Sequence, residues 1–191
     1  MNNQIMITLQ QIKDNDPCTD GWRKVLKANG GRSADFSKPF PVSSILDSNN
    51  LEDTFWVIRF LPEHDLLWRR YALWCALQVK DNTKDLRVHE CLKTVERFCN
   101  GEATEEELSA ARSAAQLAAH SVGLQARYPA ALAAIQSAVY AATARLAAEL
   151  VAGAATYSAS ESAGAEARYA ARSAQEDKLR EVLDTGVCTL R

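Results

Sequence analysis

Histidine, the commonest general base of enzyme active sites, is scarce in this chain, at three residues (His64, His89 and His120). No GxSxG elbow is present to hold a strained nucleophilic serine. No Walker-type or dinucleotide-type glycine loop is present to cradle a phosphate. Cysteine is sparse and awkwardly spaced: Cys18, Cys75, Cys91, Cys99 and Cys188 make an odd count without a CxxC pair. That excludes a secreted disulfide framework and points to reduced thiols in a cytoplasm. Charge of one sign is also lacking, since 22 basic and 24 acidic residues leave a net charge of −2. A dedicated nucleic-acid binder or an anionic-membrane binder would carry a basic excess, so neither partner is expected. Long hydrophobic runs are missing too. The most apolar window, residues 141–160, is rich in alanine, which contributes little transfer energy, and carries Arg145 and Glu149, so no membrane span is expected. The opening Met1-Asn2-Asn3-Gln4 lacks the basic segment of a secretory signal. Sustained alternation of apolar and polar residues is lacking as well, so strands are not expected.

Two weak metal patterns can be set aside on geometry. His89, Cys91 and Cys99, with Cys75, offer ligand types that zinc accepts. On a helix, however, residues 89 and 91 point about 200° apart, and Cys91 and Cys99 fall on an apolar stripe. The stretch from Asp16 places Gly21 at the sixth position of a calcium loop, but Cys18 stands third and Lys27 twelfth, where a bidentate Glu is needed. No catalytic, cofactor-binding or metal-ligating set is therefore expected. Cys18, without a neighbouring base, reads as a structural thiol.

What the chain has in quantity is alanine, and it is unevenly placed. Residues 101–191 hold 28 of the 32 alanines, whereas residues 1–100 hold all four tryptophans (Trp22, Trp56, Trp68, Trp74) and all five phenylalanines. The composition suggests an aromatic-packed helical part over residues 1–100 and an Ala-rich long-helix part over residues 101–191. One continuous domain would also accommodate both.

Helix signals dominate throughout. Thr8 with Gln11 forms a capping-box pattern before a short helix ending near Asn15. Asp16-Pro17 reads as an N-cap and first helical position for a helix carrying Trp22, Val25 and Leu26 inward and stopping at Asn29-Gly30-Gly31. Residues 43–47 suggest one helical turn, and Asn50 caps a helix over 51–61 that Pro62 ends. A helix over 63–80 places Leu67, Tyr71, Trp74, Cys75 and Val79 on one face. The next carries Val88, Cys91, Leu92, Val95, Phe98 and Cys99 as a stripe stopped by Asn100-Gly101. Thr104 and Glu107 form a second capping box, with Glu105 and Glu106 complementing the positive end of the helix dipole. That helix should reach about Gln125.

From Pro129 a long pattern begins: Leu132, Ile135, Val139, Ala142, Leu146, Leu150, Gly153, Tyr157, Ser160 and Gly164, spaced by three and four. This predicts a closely packed seam between helices, with Gly153 and Gly164 present for close backbone approach or a kink. A final helix over 175–183 carries Leu179, Val182 and Leu183. The expected class is all-α, a helical bundle with a long Ala-rich hairpin at the C-terminus.

Several charged and aromatic groups suit partner contact. Arg69 and Arg70, flanked by Trp68 and Tyr71, have the make-up of a phosphate or base-stacking site, or of an ordinary solvated helix face. Asp47, Glu52 and Asp53, like Glu105 to Glu107, read as an acidic docking patch or as helix-cap chemistry. Tyr128, Tyr140, Tyr157 and Tyr169 lie among methyl groups and must fill gaps or stand exposed, where Tyr favours binding.

Ile7-Thr8-Leu9-Gln10-Gln11-Ile12, Asp16-Pro17-Cys18 and Gly21-Trp22 resemble the opening of a bacterial and phage-borne family of immunity proteins. These are relatives of the all-helical immunity proteins of polymorphic toxin systems. The resemblance continues at Ile45-Leu46-Asp47-Ser48-Asn49, at Leu51-Glu52-Asp53 before Trp56, and at Tyr71-Ala72-Leu73-Trp74-Cys75-Ala76. Glu96-Arg97-Phe98, Gly101 to Thr104 and Leu179-Arg180-Glu181 extend it. It implies a small all-α protein that binds and neutralises another protein, and it carries no functional residues of its own. The tail departs from the family in its modest aromatic content.

The expected function is a non-enzymatic inhibitor that occludes a toxin or, given the phage-borne relatives, a host defence complex, as an anti-CRISPR or other anti-defence protein would. An oligomer joined through the Ala-rich seam and an enzyme with an unrecognised site are the alternatives. The residues expected to meet the partner are Trp68, Arg69, Arg70, Glu105, Glu106, Tyr140 and Tyr157.

Overall fold

A computed structural model of the protein describes residues 3–123, 133, 136 and 147–190. The chain divides into two compact units, Met1–Glu63 with Glu176–Val187, and His64–Gln175 with Cys188–Arg191. The compositional change near residue 100 lies inside the second unit.

The first unit is built from short elements whose ends are written in the local sequence. Helix α1 (Leu9–Lys13) opens with the expected capping box: Gln11 N donates to Thr8 Oγ1 at 3.1 Å, and Thr8 N donates to Gln11 Oε1 at 2.9 Å. Helix α2 (Thr19–Ala28) starts two residues later than Asp16-Pro17 suggests. Its cap is Cys18, whose Sγ accepts from Gly21 N at 3.3 Å, while Asp16 takes a left-handed backbone (φ 52°) that Asp tolerates better than most residues. Helix α3 (Ser44–Ser48) is the single expected turn. In α4 (Leu51–Ile58), Asn50 Oδ1 accepts from Asp53 N at 2.8 Å, as its position predicts, although the helix ends three residues short of Leu61.

Strands were not expected, yet among the described residues there are two. β1 (Met6–Ile7) and β2 (Phe40–Pro41) pair antiparallel, with Met6 opposite Pro41 and Ile7 opposite Phe40. At two residues each, they are too short to leave an alternation in the sequence. One neighbouring pair extends the ladder, Val42 N donating to Ile5 O at 3.0 Å, while Ile5 N donates to Leu183 O, a helix carbonyl, at 2.8 Å. Ile5, Ile7, Leu9, Ile45, Leu51 and Leu183 are buried in this unit. Gly186 closes it. Its φ of +68° and the approach of Asn3 O, 2.7 Å from where a Cβ would stand, leave room only for glycine.

In the second unit α5 (Asp65–Leu77) lies against both α6 (Leu86–Cys99) and α8 (Ala147–Ala163), and α6 packs on α7 (Glu105–Gly123). Because α5 has neighbours on more than one side, it buries Trp68, Tyr71, Ala72, Leu73, Trp74, Cys75 and Ala76 rather than the single expected stripe, and Leu67 is only half-buried. On α6 the predicted stripe is buried as read, apart from a half-buried Phe98.

Helix α9 (Ala165–Thr185) is longer than its sequence signals suggest, and its residues from Glu176 onward belong to the first unit. With α8 it forms the C-terminal hairpin, turned at Gly164. There a φ of +87° is needed, and Gly164 N donates to Ser160 O at 2.8 Å.

The expected seam is corrected over its described part. Leu150, Gly153 and Tyr157 face outward, and α8 instead buries Val151, Ala152, Ala155, Thr156 and Ser158. Nothing lies within 4 Å of a Cβ placed on Gly153, so close backbone contact is not its reason. In an alanine-rich helix several overlapping faces share the three-four spacing, and a one-residue shift rotates the choice by about 100°. The seam positions Leu132, Ile135, Val139, Ala142 and Leu146 lie outside the described residues; between them only Ala133 and Gln136, both helical, are described.

Candidate protein-binding surface

Trp68 is a core residue, 1% exposed, with its ring edge-on to His64 at 5.8 Å between centroids. The packing of α5 from several sides takes it away from any partner. Its neighbours Arg69 and Arg70 are half-buried and engaged within the unit. The Arg69 guanidinium sits over the Phe98 ring, 5.0 Å from its centroid. Arg70 Nη2 donates to Cys99 O at 2.9 Å and to Asn100 Oδ1 at 2.7 Å. Arg70 thus satisfies a carbonyl at the negative end of α6, a place where a cation is favoured and an anionic ligand is not.

Glu105 and Glu106 stand exposed on the first turn of α7. The cap beneath them is the predicted box: Thr104 N donates to Glu107 Oε2 at 2.8 Å, and Glu107 N donates to Thr104 Oγ1 at 3.2 Å. The Thr104 hydroxyl holds the Glu106 carboxyl below its ordinary range. The Thr104 backbone N–H and then Arg97, 3.2 Å away, do the same for Glu107. Helix-cap chemistry thus accounts for this acidic run. Asp47 is likewise engaged, accepting from Arg180 Nη2 at 2.7 Å within the first unit.

Tyr140, like Tyr128, lies outside the described residues. Tyr157 is 53% exposed on α8 and Tyr169 75% exposed on α9. Leu150, two turns before Tyr157, is 52% exposed. The predicted contact residues therefore do not share one place: Trp68 is in the core, the arginines lie at the α5–α6 joint, Glu105 and Glu106 head α7, and Tyr157 is on the hairpin. Leu150 was legible as an apolar position, but its outward direction was not.

One arrangement that sequence reasoning missed is buried and polar. The Tyr71 hydroxyl donates to Gln175 O at 3.0 Å. The Gln175 side chain accepts from Thr156 Oγ1 at 3.0 Å and donates to Ala152 O at 3.0 Å, tying α9 to α8. The only signal was a glutamine and a threonine in methyl-rich surroundings. Burial raises the Tyr71 hydroxyl well above its usual range, and it pushes the thiols of Cys75 and Cys91 up to about 12. These thiols stay protonated near neutrality and behave as small apolar groups. His89 Nε2 lies 3.0 Å from Thr83 O. Among the described residues, no group of three His, Cys, Asp or Glu side chains is placed to hold a metal ion, and no helix is long and apolar enough to cross a membrane.

Compared with known proteins, the chain matches no family model, no curated protein and no solved structure.

Proposed function

We propose that this protein is a non-enzymatic inhibitor that binds another protein and acts by covering its surface. The observation that carries this reading is the set of large side chains left in solvent on the C-terminal hairpin: Leu150, Tyr157 and Tyr169. Tyr presents a broad apolar ring at little conformational cost while its hydroxyl remains hydrated, which suits a docking face. A specific contact of roughly 1,200–2,000 Å² would need such anchors with a rim of polar groups around them. The resemblance to immunity proteins supports the same reading and names the partner class as a toxin. Its phage-borne members extend that class to a component of a host defence complex, which would make this an anti-CRISPR or other anti-defence protein acting in a cytoplasm.

Capture of a tagged protein's partners from the native host, followed by mass spectrometry, tests the proposal. A stoichiometric protein partner is expected. Tyr157→Ala with Tyr169→Ala should weaken its binding about tenfold or more while thermal unfolding stays unchanged. Recovery of no stoichiometric partner, or undiminished binding by the variant, overturns the reading.

A second reading has its own support. Leu150, Gly153, Tyr157 and Ser160 keep the three-four spacing of a helix-packing seam along α8, and Leu150, Gly153 and Tyr157 are exposed, so the hairpin would join copies of this chain. The molar mass from light scattering separates the two: a monomer at micromolar concentration removes the assembly reading.

A further inference from the structure

We draw no further inference here: the strongest candidate, the buried cluster of Tyr71, Cys75 and Cys188 in the second unit as a redox-sensitive thiol pair, rests on mutual titration effects alone, and the burial that pushes the Cys75 thiol up to about 12 denies it the thiolate that exchange requires.

Discussion

Helices α5 and α8 lie against each other in the second unit and are built on opposite plans. From Trp68 to Ala76, α5 buries two tryptophans, a tyrosine, a leucine and a cysteine, and it meets α6 as well as α8. α8 buries small groups, Val151, Ala152, Ala155, Thr156 and Ser158, and leaves Leu150 and Tyr157 in solvent. Large side chains fill space in many directions, so a helix rich in them becomes the centre of its unit. Methyl-sized side chains contribute little burial energy each but permit close approach. The polar atoms carried in with them must then be hydrogen-bonded, as Thr156 is to Gln175 and Ser158 to Asn82.

The contrast can be broken most severely at Trp68. Trp68→Ala should cost about 3–5 kcal/mol, read as a lower midpoint in urea unfolding, because the cavity opens in the middle of packed helices. A surface anchor at this position would cost almost nothing. The second largest effect is alkaline. Cys75 on α5 and Cys91 on α6 have folded values of about 12 against 9.0 for a free thiol. Each thiol's contribution is complete below pH 9 and shrinks as pH rises toward 12, because the unfolded chain releases the proton first. One unit above pH 9 the loss is on the order of 1 kcal/mol per thiol. The fall in unfolding free energy between pH 9 and 11 should flatten in Cys75→Ala with Cys91→Ala, whatever those substitutions do to stability at pH 7.

On the α8 side the hydrogen bonds replace bulk. Gln175→Ala should cost about 1–3 kcal/mol by leaving the buried Thr156 hydroxyl without its acceptor. Adding Thr156→Val should recover part of that loss, a coupling that a double-mutant cycle measures. Additive effects would mean that the two side chains do not act together. The smallest effects sharpen the comparison within the hairpin. Gly153→Ala should stabilise by about 0.5–1 kcal/mol, since nothing crowds the position and alanine is the better helix former. Gly164→Ala should destabilise by about 1–2 kcal/mol, since its φ of +87° is costly for any residue with a Cβ. Thermal unfolding of the two variants should therefore shift in opposite directions.

How much was legible follows from how far apart the interacting residues lie. The boxes at Thr8–Gln11 and Thr104–Glu107 and the Asn50 cap could be read because each is complete within four residues. The apolar stripe of α6 could be read because that helix alternates bulky and charged groups at helical spacing. The same reasoning failed on α8, where Leu150 and Tyr157 sit in a background of alanines and the pattern cannot distinguish neighbouring faces. For the candidate site, the exposure of Tyr157 and Tyr169 was one of two readings left open by the sequence, whereas Trp68, Arg69 and Arg70 looked available only because their partners, His64, Phe98 and Cys99, were not yet in place around them.

By itself, then, the order of residues determined that this chain would be helical and where most helices begin, since backbone donors at a helix start are satisfied by side chains a few positions away. Only the tertiary structure decided that Trp68 is enclosed, that Arg70 caps a helix twenty-nine residues further on, that Gln175 answers Tyr71 across the chain, and that residues 176–187 fold with residues 1–63. Those outcomes depend on which surfaces meet, and burial is a property of the pair of surfaces rather than of either one alone.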